Sequence, residues 1–476
     1  MEANYFFVGD RMSKEQERRK LLGEEPVGKL LFKFSLPAIT GMIVNALYNV
    51  VDRIFIGKGV GELAIGGIFI TMPLSLILMA FSMLIGIGGN TLVSIKLGQN
   101  KKEEADKVAG NAFVLLALIS STISVLGLIF LKPLLNVFGA SPSNFQYAYD
   151  YMKIILIGAP FQAIGFGMNN FIRGEGSPTI AMKTMLIGAI TNTILDPIFI
   201  FVFNMGVQGA AIATIISQAL SAVWVLAYFF TGKSVLTVKK EYLKLKVEII
   251  KDILAIGVSP FSMQLAGSMV TVLLNNSLKT YGGELANSSM AVINSIAMMV
   301  MMPVFGINQG SQPIIGFNYG SKNYDRVKET LKYATIAATT ITTIGFILTQ
   351  FFPVMLYKLF ISSEGDIAGI SRIGVPGMRI YLAMFPIVGF QVVSSNYFQA
   401  TGKPKHAMLL SLSRQVLILI PALLILPKFF GLSGVWMAGP LADFTSSMIT
   451  AFFVTRSVRS LGNEANAMNK KIIEEN

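Results

Sequence analysis

No cysteine occurs among the 476 residues, and there is a single histidine, His406. The first absence excludes disulfides, thiolate metal sites and thiol chemistry; the second leaves no multi-histidine metal cluster. Charge is scarce as well. Only 14% of residues are Asp, Glu, Lys or Arg, against about a quarter in soluble domains, while 53% are hydrophobic and mean hydropathy is +0.62. The chain therefore reads as a polytopic membrane protein. Phosphate-handling motifs are missing: Gly232-Lys233-Ser234 is the nearest approach to a Walker A loop, but Ala227 stands where its first glycine is required, and the context is a helix end. Clustered aspartates that could hold Mg²⁺ and a diphosphate are missing too, which argues against a membrane prenyltransferase. No catalytic constellation and no cofactor are expected, so the chain does not read as an enzyme. Residues 1–28 are charged and carry no apolar h-region, so they read as a short tail and not as a cleavable signal peptide.

What is present is a series of twelve apolar runs of about 20 residues or more, the length of a bilayer-spanning helix. They are separated by Gly-, Pro- and Lys-rich breaks. With the N-terminus inside, most of the 39 Lys and Arg residues fall in the short loops on that side. The positive-inside rule then places both termini in the cytoplasm. Scattering of the basic residues among loops also removes a nucleic-acid reading of the +13 net charge. The longest basic connection, 232–251, lies at the centre of the chain. It divides an N-lobe, 29–231 (spans 1–6), from a C-lobe, 252–456 (spans 7–12), with a C-terminal tail at 457–476. The halves repeat: Leu36-Pro37 matches Ser259-Pro260, Lys96-Leu97-Gly98-Gln99 matches Asn318-Tyr319-Gly320-Ser321, and Gly174-Glu175-Gly176-Ser177-Pro178 matches Ala400-Thr401-Gly402-Lys403-Pro404. An even number of spans per half makes the repeat parallel, about an axis along the membrane normal. The expected fold is all-α, twelve transmembrane helices in two parallel six-helix repeats around a central cavity, the architecture that alternating access requires.

Within this frame one acid stands out. Asp196 lies in the apolar run from Thr184 to Phe203, where a carboxylate costs a few kcal/mol and by default marks a function. The alternative is a structural acid tied to a helix kink at Pro197. Asn192, four residues earlier, shares its helical face. Asp52 in span 1 falls at a similar depth, in the outer half of the membrane, so the two acids could share one site; the alternative for Asp52 is an interfacial acid paired with Arg53. The repeat aligns Asp196 with Ile420 and Asp52 with Asn275, so only the first half carries both acids. Asn45 and Met185 should line the same inward faces and are candidate substrate contacts. Thr214, in span 6, lies at outer-half depth. In the second half, Arg414 and Asp443 are expected to pair across spans 11 and 12 as an intramembrane ion pair. Two carboxylates in a low-dielectric lobe favour holding a proton between them, and the oxygens of Asp52, Asn192, Asp196 and Thr214 would also suit Na⁺. The residues leave both ions open.

The combination Asn192-x-x-x-Asp196-Pro197, Tyr48-Asn49-x-x-Asp52 after Pro37, and Arg173-Gly174-Glu175-Gly176 resembles the multidrug and toxic compound extrusion (MATE) family over all twelve spans. Within it, the chain is most similar to the branch of MepA-type pumps and DNA-damage-inducible F proteins. The resemblance implies a secondary antiporter of the bacterial cytoplasmic membrane that exports cationic or amphiphilic drugs in exchange for H⁺ or Na⁺, working as a monomer in the lipid bilayer without nucleic acid. It implies an ion site from Asp52, Asn169, Asn192, Asp196 and Thr214, and a bend of span 1 at Pro37. A flippase for lipid-linked oligosaccharide is the alternative; it would call for a cavity rich in Arg and Lys, which the spans lack.

Overall fold

Apolar runs of this length leave the backbone no partner but itself, so they fold as helices, and most breaks between them fall at a left-handed residue, usually glycine or asparagine and once Lys322. A computed structural model describes residues 15–360 and 364–475, without the side chains of 62, 364–371 and 465–475. Among the described residues all regular secondary structure is helical. Residues 1–14 of the expected N-terminal tail lie outside this description, and 15–24 form a helix.

The chain separates into two units. Unit 1 comprises residues up to Pro26 and Leu36–Phe261. It contains α1 (Val27–Gly59) from Leu36 onward, α2 (Glu62–Gly98), α3 (Lys102–Ile129), α4 (Phe145–Gly174), α5 (Pro178–Pro197) and α6 (Gly206–Phe230). A π-helical segment, Ile198–Val202, continues α5 beyond Pro197. Unit 2 comprises Val27–Ser35 and Ser262–Asn476. Its helices are α7 (247–282) from Ser262 onward, α8 (284–320), α9 (Tyr324–Phe351), α10 (Glu364–Tyr381 and Phe385–Ala400), α11 (404–430) and α12 (432–475). Among the described residues, nine helices are long and apolar enough to cross a membrane, and the bent α10 adds a tenth. Two of the nine are doubled: positive-φ glycines, Gly283 at +70° and Gly431 at +57°, separate α7 from α8 and α11 from α12 inside helices that are otherwise continuous. Only glycine adopts such angles freely. Among the described residues this makes twelve spans.

Each unit borrows the first turns of the other half's first helix, and glycines make room for them. In unit 1, α2 and the start of α7 meet backbone to backbone: a Cβ on Gly257 would fall 1.7 Å from the Leu84 carbonyl oxygen, and one on Gly88 would fall 2.2 Å from that of Ile253. In unit 2, a Cβ on Gly310 of α8 would fall 2.7 Å from the Ser35 amide nitrogen of α1. Gly88 and Gly310 are 222 residues apart and so are equivalent positions of the repeat. Small residues that let helix backbones approach are the usual packing device inside membranes.

The central connection does not hang free. α7 begins at Val247, so the non-membrane segment is 232–246, with a short 3₁₀ turn at Lys240–Leu243. Glu175, which is 1% exposed, accepts hydrogen bonds from Ser234 Oγ (2.5 Å), the Val235 and Leu236 amides (3.0 and 3.2 Å) and the Tyr228 hydroxyl. Asp106 Oδ1 accepts the Thr237 amide at 2.8 Å, and Asn111 Oδ1 the Lys246 amide at 2.7 Å. Arg18 on the N-terminal helix donates to Ser177. Burial pushes the Glu175 carboxyl above its ordinary range, opposed by Arg18 and by the donors Ser234, Tyr228 and Leu236.

Candidate functional site

Asp196 is the penultimate residue of α5, and Pro197, its last, leads into the π-helical segment. Proline has no amide to continue the helix, and the wider π turn, closed by Phe203 N–H to Ile198 O at 2.9 Å, re-satisfies the backbone. The Asp196 side chain has no exposure. Asn192 Nδ2, one turn before it, donates to Asp196 Oδ1 at 3.2 Å and to Thr214 Oγ1 of α6 at 3.4 Å. The Asp52 carboxyl, on α1, comes within hydrogen-bonding reach of Asp196. Its neighbour Arg53 is exposed, and no ion pair joins the two among the described residues. Asp52 thus turns toward Asp196 and away from the interfacial pairing open to it in sequence.

Three acceptor oxygens at this point are buried without a donor: Asp52 Oδ1, Asp196 Oδ2 and Asn192 Oδ1. Each such atom costs roughly 1–3 kcal/mol if left bare, and more if charged. A set made only of oxygens suits a shared proton or a hard monovalent cation and offers nothing to a soft metal. Two tyrosines complete the surroundings. Tyr48, one turn before Asp52, interacts with both acids; Tyr151, near the start of α4, does the same and hydrogen-bonds with Thr214. Sequence reasoning missed Tyr151, since an isolated tyrosine in a span has no spacing that announces it; Tyr48 was visible only as part of the α1 motif.

The other expected residues fall elsewhere. Asn169 is not brought to the acids. It lies on α4 eighteen residues beyond Tyr151, about 27 Å along the helix axis, buried near Asn170 and Arg173 with its Oδ1 unpartnered. Met185 packs across α1, its sulfur 2.7 Å from where a Cβ on Gly41 would stand. Asn45 is exposed; its carbonyl and Oδ1 accept from Asn49 Nδ2 at 2.6 and 3.2 Å. α1 runs through Pro37 without interruption. In unit 2, Arg414 Nε donates to Asp443 Oδ1 at 2.5 Å.

The MatE family model matches the chain twice, over 37–198 and 260–424, beginning each time at the proline of the first span of a half. The chain belongs to the MatE family. Among curated relatives of this MatE chain, the multidrug export protein MepA of Staphylococcus haemolyticus is 27% identical over 437 residues, 92% of this chain and 95% of the relative. MepA of Staphylococcus aureus strain MRSA252 is 27% identical over 412 residues, 87% and 90% of the two chains. Among solved structures, an outward-facing multidrug resistance MATE family transporter of the MOP superfamily superposes with a TM-score of 0.87 at 25% identity, covering 93% of this chain and 98% of its own. A MOP superfamily transporter from Pyrococcus furiosus gives the same TM-score, identity and coverage.

Proposed function

We propose that this chain exports cationic or amphiphilic drugs in exchange for H⁺ or Na⁺, by alternating access of an N-lobe (29–231) and a C-lobe (252–456). It works as a monomer in the bacterial cytoplasmic membrane with both termini in the cytoplasm, and performs no catalysis of its own. The observation that carries this reading is the contact of Asp52 with Asp196 in a cluster holding three donor-less oxygens. Two adjacent buried carboxylates cannot both stay ionised without a counter-ion. A proton shared between them, or Na⁺ held by Asp52, Asn192, Asp196 and Thr214, satisfies those oxygens and removes the repulsion. Its release restores the repulsion and shifts the preferred packing of α1 against α5, which is how an ion biases a two-state transporter. The staphylococcal MepA relatives support drug as the cargo.

Everted membrane vesicles test the reading. Uptake of a fluorescent cationic dye is expected on energisation, and collapse of the pH and Na⁺ gradients together should abolish it. Uptake that persists without either gradient would contradict ion exchange.

A further inference from the structure

Unit 2 departs from a plain helix bundle three times at one place. α10 is broken after Tyr381, where its two pieces meet at 45°. α11 carries a π-helical segment, Ser413–Leu419. Between them and α12 sits the Arg414–Asp443 pair. Tyr381, at the break, lies over Gly439, where a Cβ would stand 2.8 Å from its ring, and is close enough to interact with both Arg414 and Asp443. Arg414 is ten residues into α11 and Asp443 eleven into α12, so each lies about 15–17 Å from the end of its span. That is the middle of a hydrocarbon core about 30 Å thick.

The pair is lopsided. Asp443's side chain is 7% exposed and Arg414's 30%. A guanidinium carries five N–H donors in a planar fork; among the described residues, only Nε is given a hydrogen bond, to Asp443. The Nη edge, with four donors, stays presented. Contact between that edge and lipid is among the costliest arrangements at this depth, so the exposed face belongs to a site. Broken helices, π segments and charged side chains at the midplane are how transporters build substrate sites. One residue on, Gln415 lies over Gly267 of α7 with its Oε1 buried and unpartnered, an acceptor awaiting a donor.

We propose that the Nη edge of Arg414, held by Asp443 and flanked by Tyr381, is a second recognition site in this protein that takes the carboxylate of a zwitterionic amphiphile. Asp443 already neutralises one unit of charge. A ligand that brings its own cationic group with the carboxylate therefore fits better than a simple anion. Planar, two-point recognition of a carboxylate is the property that separates arginine from lysine. The site rests on the export reading for the role of its ligand as cargo; its binding chemistry is independent of ion exchange and of the Asp52–Asp196 pair.

The test uses purified full-length protein in detergent and two probes, a zwitterionic rhodamine with a free carboxyl group and its methyl ester, with affinity read by fluorescence polarisation. Wild-type protein should bind both. Arg414→Gln should weaken the free acid by roughly tenfold or more, the size of one charge-assisted hydrogen bond, and leave the ester unchanged. Arg414→Lys should fall between. Arg414→Gln strands a buried Asp443 and could prevent folding, so the double variant Arg414→Gln/Asp443→Asn is measured beside it, with the same selective loss expected. Equal loss for both dyes, no loss for either, or a wild-type protein that binds the ester but not the acid overturns the proposal. Dye binding in detergent needs no ion gradient, so failure of ion exchange and failure of this site are told apart.

Discussion

Asp196 has no exposure and lies within reach of a second carboxylate, an arrangement that costs stability unless an ion intervenes. If its role is to hold that ion, its removal should not harm the fold. Asp196→Asn is expected to melt at or above the wild-type temperature in detergent at neutral pH. A fall of several degrees would instead identify a structural acid at the Pro197 kink. Glu175 makes the opposite case, a buried carboxylate whose donors fasten the central connection. Because burial raises its proton affinity in the folded protein, its contribution is fullest at acid pH and declines as pH rises through the folded-state value. The difference in melting temperature between wild type and Glu175→Gln should therefore shrink as pH rises above the ordinary carboxylate range. A difference that grows would contradict the assignment. That Asp52 and Asp196 matter to the first half was legible in sequence, because a charge in an apolar run has few harmless explanations, and the structure brings the two carboxyls together. Glu175 was legible only as part of a loop motif, since nothing in Gly-Glu-Gly reveals which backbone amides it will collect. Tyr151 carries no charge to betray it.

At the scale of elements, the spans follow from hydropathy, and their ends from Gly283, Gly431 and the loop glycines. Depth within a span was harder. The family resemblance places Asn169 with Asp52 and Asp196, but position along one helix says nothing about which residue of a neighbouring helix stands at the same height. The central connection reads in sequence only as a basic linker, and nothing there shows that Asp106, Asn111 and Glu175 hold it along unit 1. The paired close approaches at Gly88 and Gly310 were also hidden, because a glycine in a membrane helix is common and its partner lies far away in the chain. Gly257→Val should force α7 away from the Leu84 carbonyl and destabilise the protein by about 2 kcal/mol, as overpacking does. Thermal unfolding of the purified protein checks this, and an unchanged transition would contradict the backbone-to-backbone packing.

For the whole molecule, the repeat is the organising fact. Two matches to one family model, starting at Pro37 and Pro260, lie 223 residues apart, and the halves nevertheless carry different charges. The first holds Asp52 and Asp196 where the second has Asn275 and Ile420; the second holds Arg414 and Asp443. On the proposed reading this asymmetry divides labour, with ion exchange in the first half and recognition of an acidic group in the second. Proteoliposomes test the central claim most directly. Wild-type and Asp196→Asn proteins are reconstituted, and dye movement is followed under an imposed pH gradient and, separately, an imposed Na⁺ gradient. One of the two gradients should drive dye movement by wild-type protein, with Asp196→Asn reduced to the level of empty liposomes under both. Gradient-driven movement by Asp196→Asn at the wild-type rate would contradict the account.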